Sequence, residues 1–135
     1  MYKNILVPVV LGEGHNHDLS FAAARQLASD DARFTVLYVR EPIPAYVAAE
    51  IPQGVLADSR SGYEDDLKQL AAALPEAEPA VINGSPGRGI VDYAEANGID
   101  CIVIASHKPG LQNLVIGSTA NKVVHHAKCT VHVIR

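Results

Sequence analysis

Five residues in the last third of the chain have the types and the spacing of an anion-binding site. They follow a buried-looking apolar run and open the next helical pattern, and they are Ser106, His107, Gly117, Ser118 and Thr119. The first residues of a helix carry N–H groups without a backbone acceptor, together with a partial positive charge. A glycine lets the backbone approach a phosphate closely, and hydroxyl groups add donors. The segment therefore predicts a site for a phosphate or a similar anion.

The elements that would position this site are visible as apolar runs along the chain. Runs in which the apolar residues are continuous, without alternation with polar residues, are typical of parallel strands that are covered on both faces. Helical patterns separate the runs, and this alternation predicts an α/β fold built on an open parallel sheet with right-handed crossovers. The predicted strands are Lys3–Val9, Arg33–Val39, Pro79–Ile82, Asp100–Ala105 and Thr130–Ile134.

Four helical patterns lie between these strands. Asp18 is predicted to cap the first, and the Ser85 hydroxyl to cap the third, with Pro86 at its first position. The fourth begins near Ser118. Helical spacing predicts these inward-facing residues, in chain order: Leu19, Ala23, Leu27, Tyr63, Leu67, Leu70, Ala71, Leu74, Ile90, Val91, Ala94, Ala120, Val123, Val124 and Ala127.

The stretch Glu41–Gly62 is predicted to be irregular. Its prolines and Gly54 interrupt any long element, yet several of its residues are apolar. Two interpretations remain open at this point, a flap over a ligand and a packed connection.

Size, composition and charge restrict the class of protein. The 135 residues suit a single domain, 1–135, and no apolar run approaches the length of a membrane span. No signal-peptide pattern is present at the start of the sequence, so we expect a cytoplasmic protein that does not bind membranes. A net charge of −4 without a basic stripe argues against nucleic-acid binding. Cys101 and Cys129 lack C-x-x-C spacing, which favours buried reduced thiols.

Ligands of open parallel sheets bind beyond the carboxyl ends of the strands, where the strand order reverses. If the first and fourth predicted strands are neighbours, a crevice lies between Pro8–Gly12 and Ala105–His107. A flat base would then sit near the backbone of Val39, with phosphates toward Gly117.

Other polar motifs have competing interpretations. Gly12-x-Gly14 lacks the third glycine of a dinucleotide fingerprint, which argues against an NAD site. His15 and His17 have no third ligand at useful spacing, so we expect solvated histidines and no metal site. The glycine-rich loop Gly84–Gly89 could also hold an anion, although a simple helix start explains it.

No arrangement typical of a catalytic site is present in the sequence. There is no Ser-His-Asp order, no cysteine–histidine arrangement and no marked carboxylate pair. We therefore expect a protein that is not an enzyme.

Three motifs in order resemble the universal stress protein family across essentially the whole chain. They are Lys3-Asn-Ile-Leu-Val-Pro-Val, Gly84-Ser-Pro-x-x-x-Ile90 and Ala105-Ser-His-x9-Gly117-Ser. The Ala-Ser-His-Lys-Pro form is similar to that of small bacterial members. The resemblance implies an adenine nucleotide alpha hydrolase-like fold, with a five-stranded parallel sheet in the order 3-2-1-4-5 and helices on both faces. It also implies a homodimer, often paired along the last strand, Thr130–Ile134.

Many members of this family bind ATP through a Gly-x2-Gly-x9-Gly-[Ser/Thr] pattern. This chain keeps Gly117-Ser118, but Ala105 replaces the first glycine and His107-Lys108 stands where the second belongs. The family's first strand usually ends Pro-x-Asp, whereas Val10 stands at the aspartate position here and offers no side-chain acceptor. The binding residues that the resemblance implies are Pro8, Val9, Val10, Val39, Ala105, Ser106, His107, Lys108, Gly117, Ser118 and Thr119.

Three functions follow as hypotheses. The first is a regulatory dimer of the stress response that binds ATP, or ADP or AMP, with magnesium accompanying a triphosphate. The second is a stress-response dimer that binds no nucleotide and acts through a protein partner. The third is a small adenylyl-transferring enzyme, which would need an acid–base or metal cluster that the sequence does not display.

Overall fold

The computed structural model describes residues 1–12, 15–42, 45–106 and 116–135. Strands and helices alternate along these residues as the sequence predicts. In chain order they are β1 (Tyr2–Val9), α1 (Asp18–Leu27), β2 (Ala28–Arg40), α2 (Ala45–Ala48), α3 (Gln53–Ala71), β3 (Glu78–Asn83), α4 (Pro86–Ala96), β4 (Cys101–Ala105), α5 (Ser118–His126) and β5 (Thr130–Ile134).

The strands form one parallel sheet in the order β3-β2-β1-β4-β5, which confirms the predicted topology. The chain builds outward from β1 to β3 on one side and then continues with β4 and β5 on the other. This reversal places β1 and β4 side by side at the centre of the sheet. Among the described residues, no helix combines the length and the apolar composition that a membrane span requires.

Two apolar clusters cover the two faces of the sheet. The first contains Ile5, Val7 and Val103 of the strands, packed against Phe21 of α1 and Leu67 of α3. The second contains alternate residues of the same strands, Leu6 and Ile102 among them, together with residues of α4 and α5. Because side chains alternate along a strand, each central strand contributes to both clusters.

The second strand is longer than predicted, since β2 begins at Ala28 and not at Arg33. Its register against β1 jumps from Tyr2–Ala28 to Asn4–Arg33, so the polar residues between them lie outside the regular ladder. Within that segment the Ser29 hydroxyl donates to the Asp31 carboxylate at 2.8 Å. An exposed polar insertion of this kind breaks the apolar run, and therefore the sequence reveals only the buried half of the strand.

The prediction of an irregular Glu41–Gly62 is wrong over most of its length. The short helix α2 lies inside it, and α3 begins at Gln53. Pro52 occupies the N-cap position of α3, where its fixed φ is tolerated, so this proline starts the helix and does not break it. The flap interpretation of this segment stays a prediction.

Helix α1 differs in detail from its predicted cap and face. Its N-cap is His17, and Asp18 is the first helical residue, whose amide donates to the Asn16 side chain at 2.8 Å. The buried residues of the helix include Phe21, whereas Leu19 is 67% exposed. The predicted face holds for Ala23 and Leu27, which pack partly buried against the core, and is wrong for Leu19.

Helices α4 and α5 follow their predicted faces more closely. Ser85 is the N-cap of α4 and Pro86 follows it, but the Ser85 hydroxyl makes no capping hydrogen bond, contrary to the prediction. Ile90, Val91 and Ala94 are buried as predicted. In α5, Ala120 and Val123 are buried and Val124 is exposed.

A hydrogen-bonded clasp joins the start of β1 to the loop before β4. The Asp100 carboxylate accepts hydrogen bonds from the backbone amides of Lys3, at 2.9 Å, and Asn4, at 3.0 Å. The Asn4 side chain in turn donates to the carbonyls of Asn97 and Gly98. The clasp aligns β1 with β4 at the amino end of the sheet, the end opposite the predicted site.

Replacing Asp100 by alanine should lower the free energy of unfolding by about 1–3 kcal/mol, because two backbone donors lose a charged acceptor. Urea unfolding of Asp100→Ala and of Asp30→Ala would measure this. Asp30 is exposed, so its replacement should stay within about 0.5 kcal/mol of the wild type. Equal effects of the two substitutions would contradict the role of the clasp.

Both cysteines are free, as predicted, but their environments differ. Cys101 is fully buried in β4, and this burial raises the pKa of its thiol from 9.0 to about 11. Cys129 is only half-buried, and burial also raises its pKa. The thiolate is the reactive form, so the folded protein protects Cys101 doubly, through low access and through low ionisation.

Labelling with Ellman's reagent at pH 8 should therefore modify one thiol of the folded protein, Cys129, well before the other. In a Cys129→Ser variant, the remaining Cys101 should react about a hundredfold more slowly when folded than when unfolded in urea. Its reaction in the folded state should accelerate only as the pH rises toward 11. One common rate for both thiols of the folded wild type would contradict this.

Candidate functional site

The two central strands separate toward their carboxyl ends. Within the described residues, β1 pairs with β4 at Ile5–Cys101 and Leu6–Ile102. Beyond these pairs, β1 continues along β2 as far as Val9–Tyr38, and β4 continues along β5 as far as Ala105–Ile134. An opening therefore forms between β1 and β4 at the point where the strand order reverses, which is where the sequence predicts a crevice.

The β1 side of this opening ends in Pro8, Val9 and Val10. Val9 is buried in the cluster against α1 and α3, so its side chain is part of the core. The ligand contact that the resemblance implies at this position stays a prediction. Val10 lies just beyond the strand and is 52% exposed. Continued alternation puts position 10 on the opposite face from Val9, the face of α4 and α5. Pro8 is half-buried.

Val39 supplies the neighbouring surface on β2. Its partly buried side chain packs in the cluster on the α4 and α5 face. Gly89 of α4 lies directly against it, since a Cβ atom there would be 3.3 Å from Val39 Cγ1 and 3.1 Å from Ile82 Cδ1. The absence of a side chain at Gly89 lets α4 approach the sheet closely beside Val39.

On the other side of the opening, Ser106 fixes the start of α5. Its amide donates to the Ile134 carbonyl at 2.9 Å, and its own carbonyl accepts a hydrogen bond from Gly117. A Cβ atom on Gly117 would lie only 2.9 Å from that carbonyl oxygen, so only glycine fits this approach without movement. Ser106 is 2% exposed, which makes it an anchor for Gly117.

Gly117 is the N-cap of α5, and Ser118 and Thr119 begin the helix. No side chain of the described residues caps this end, and no acidic residue lies in the first turn. The Gly117 carbonyl accepts from Asn121, so the amides of the first turn precede the helical hydrogen-bond pattern. With Ser118 exposed and Thr119 half-buried, both hydroxyls stand near these amides. The arrangement has the donors that a phosphate requires.

Of the remaining predicted binding residues, one belongs to β4 and two lie outside the residues that the structure describes. Ala105 ends β4 and is half-buried. His107 and Lys108 lie outside the described residues. The structure thus places Val10, Val39 and Gly117 at the same end of the sheet, the end where the carboxyl termini of the strands lie.

The alternative anion loop, Gly84–Gly89, is organised differently. Arg88, the cation that could assist an anion there, pairs with Asp92 at 3.3 Å. Gly87 packs against Lys122 of α5, whose Cβ would lie 2.8 Å from a Cβ atom added to the glycine. These contacts serve the packing of α4 on α5. At the start of the loop, the Gly84 amide donates to the carbonyl of Arg40, the last residue of β2, at 3.0 Å.

His17 was expected to be solvated, and the structure contradicts this. The residue is 8% exposed, and its ring lies 6.1 Å from the ring of Phe21, centroid to centroid. In the sequence, His15 and His17 are considered together as a metal pair and are expected to be solvated. The pairing of His17 with an aromatic residue one helical turn later was the available signal for burial. In the described residues, no group of three histidine, cysteine or acidic side chains is close enough to hold a metal ion.

The buried imidazole holds the backbone of Val10. Its Nε2 atom lies 2.9 Å from the Val10 carbonyl oxygen and 3.3 Å from the Val10 amide nitrogen. One nitrogen cannot donate and accept at once, and the shorter contact favours donation from Nε2–H to the carbonyl. Nδ1 is then an acceptor, buried without a partner among the described residues. His17 therefore ties the end of β1 to the start of α1.

Replacing His17 by alanine should lower the free energy of unfolding by about 1–3 kcal/mol, because the hydrogen bond and the ring packing are both lost. His17→Gln keeps an N–H donor and should recover part of this loss. His15→Ala, at an exposed position two residues away, is the matched control and should change stability by less than about 0.5 kcal/mol. Urea unfolding at constant pH makes the comparison, and equal losses at both positions would refute the tie.

Comparison with known proteins agrees with the fold and the motifs. The family model of the universal stress protein family matches residues 1–135. Universal stress protein G of Escherichia coli O157:H7 is 29% identical over 147 residues, covering 100% of both chains. The solved structure of universal stress protein UspA from Lactobacillus plantarum has 31% identity and a TM-score of 0.71, covering 99% of this chain and 98% of that one.

A further solved structure, the universal stress protein from Archaeoglobus fulgidus in complex with dAMP, shares the fold. Its TM-score is 0.66 at 18% identity, and it covers 99% of this chain and 98% of its own. The parallel order of the strands, the opening between β1 and β4 and the match of the family model over the full sequence agree with one another. The chain belongs to the universal stress protein family.

Proposed function

We propose that this protein binds ATP or a related adenine nucleotide in the opening between β1 and β4. The observation that carries the proposal is the start of α5. There, Gly117 contacts the Ser106 carbonyl so closely that no side chain fits, and no side chain among the described residues caps the first-turn amides. A helix end that is held open in this way, with two hydroxyl residues at its start, suits the phosphates of a nucleotide.

The rest of the opening fits the nucleoside part of such a ligand. Val39 and Val10 present aliphatic surface on the same edge of the sheet, against which a flat base can pack. The Archaeoglobus fulgidus relative binds dAMP, which supports an adenine nucleotide as the ligand class. His107 and Lys108, beside the phosphate end in sequence, would add donors, and a triphosphate would bring magnesium.

In this proposal the protein is a cytoplasmic, single-domain regulator of the stress response and not an enzyme. It acts as a homodimer that pairs along β5, Thr130–Ile134. That strand lies at the edge of the sheet, and its residues alternate in burial, so its outer backbone groups can pair with a second copy. A protein partner would then respond to the nucleotide-bound dimer.

A second candidate function is a dimer that binds no nucleotide and works through protein contacts alone. The observation in its favour is Val10, because a half-exposed valine gives a ligand no hydrogen bond at the end of β1. Loss of one such bond weakens binding by about tenfold, which reduces affinity without abolishing it.

Isothermal titration of nucleotide-stripped protein with ATP and magnesium tests the proposal. We expect saturable binding that weakens about tenfold in Ser118→Ala, because a donor to the phosphates is lost. Gly117→Val should abolish binding, since its side chain would collide with the Ser106 carbonyl. Ser85→Ala is the matched control, a serine at the start of α4, and it should bind as the wild type does.

Circular dichroism of each variant must show intact secondary structure for these comparisons to count. Absence of binding by a folded wild type would overturn the proposal and favour the protein-contact function. Weakening by Ser85→Ala but not by Ser118→Ala would move the phosphates to the start of α4.

A further inference from the structure

The β1 side of the opening is apolar where it meets a ligand. Val10 is half-exposed, and its side chain carries neither a donor nor an acceptor. Val39, the adjoining residue of β2, is likewise aliphatic. The side chains of Val10 and Val39 therefore offer a sugar only carbon atoms.

The backbone of Val10 does not replace the missing acceptor. Its carbonyl oxygen lies 2.9 Å from Nε2 of His17, and the histidine is at the start of α1. Since α1 packs on the face of the sheet opposite α4 and α5, this hydrogen bond directs the carbonyl to the α1 side. Because His17 is buried against Phe21, water does not readily replace the histidine as the partner of this carbonyl.

The phosphate end of the site lies across the opening, at Gly117 and Ser118 of α5. A nucleotide held there by its phosphates extends its sugar toward the strand ends, because the sugar is the next group along the ligand. In the proposed binding mode the sugar passes beside Val10, where a hydroxyl would find neither a side-chain acceptor nor a free backbone carbonyl on this residue.

We propose that the site does not distinguish a ribonucleotide from a 2′-deoxyribonucleotide, because Val10 and the His17-bound carbonyl give the 2′-hydroxyl no partner. Discrimination by a binding site depends on polar groups that the wrong ligand leaves unpaired. Neither the side chain nor the carbonyl of Val10 is such a group, so the ligand class widens to adenine nucleotides of either sugar. This inference rests on the proposed function, since it concerns the same site.

The test is the ratio of the dissociation constants for dATP and ATP, measured by titration calorimetry on the same stripped protein with magnesium. The wild type should give a ratio within about twofold of one. A ratio near one together with saturable binding is specific to this inference, because the proposed function by itself requires only that ATP bind.

A Val10→Asp variant should create the missing preference. Its carboxylate can accept from the 2′-hydroxyl, and the ratio should rise to about five- to tenfold in favour of ATP. Repulsion between the new charge and the phosphates acts on both nucleotides alike, so it cancels in the ratio. Val81→Asp is the matched control, the same change at a valine that is 37% exposed on β3, and it should leave the ratio near one.

The outcomes separate the two proposals. A wild-type preference for ATP of more than about fivefold would overturn the inference while leaving nucleotide binding intact. A ratio unchanged in Val10→Asp would also overturn it, because the sugar would then not lie beside position 10. Failure of the folded wild type to bind either nucleotide would overturn the proposed function, and this inference with it.

Discussion

The candidate site, the Asp100 clasp and the two polar contacts beside the opening are all arranged around the separation of β1 from β4. Each of these strands continues along a different neighbour, β1 along β2 and β4 along β5, and their own pairing covers only the residues near Leu6 and Ile102. Sheet twist and the reversal of strand order make such a separation the natural place for a ligand. The Asp100 clasp closes the same two strands at the other end, so the sheet opens only toward the candidate site.

Two polar contacts shape the opening, and they act on opposite sides of it. On the β4 side, Ser106 is bonded through its backbone both to the end of β5 and to the start of α5. This arrangement fixes the helix end whose amides we propose bind phosphate. On the β1 side, the buried His17 ring donates a hydrogen bond to the Val10 carbonyl. In the function that we propose, the first contact positions donors toward the opening and the second removes an acceptor from it. The site would then bind the anionic end of a nucleotide more strongly than its sugar.

Beyond the opening, a cluster of two tyrosines and one arginine joins α3 to the end of β2. Arg40 lies over the ring of Tyr63 at 5.4 Å, and the Tyr63 ring lies 5.6 Å from that of Tyr38. These contacts lie on the α1 and α3 face, away from Val39, because side chains alternate along β2. They hold the strand end whose other face forms a wall of the candidate site.

The sequence predicts the alternation of strands and helices, the parallel sheet and the position of Gly117-Ser118 at the start of a helix, because buried runs and helix-start residues act locally. It did not reveal the start of β2 at Ala28 or of α3 at Gln53, where polar insertions and prolines disguise regular elements. Nor did it predict that Val9 faces the core while Val10 is exposed, or that His17 is buried. These features depend on the tertiary fold, because the burial of a side chain and the partner of a polar group are set by the distant residues that pack against them.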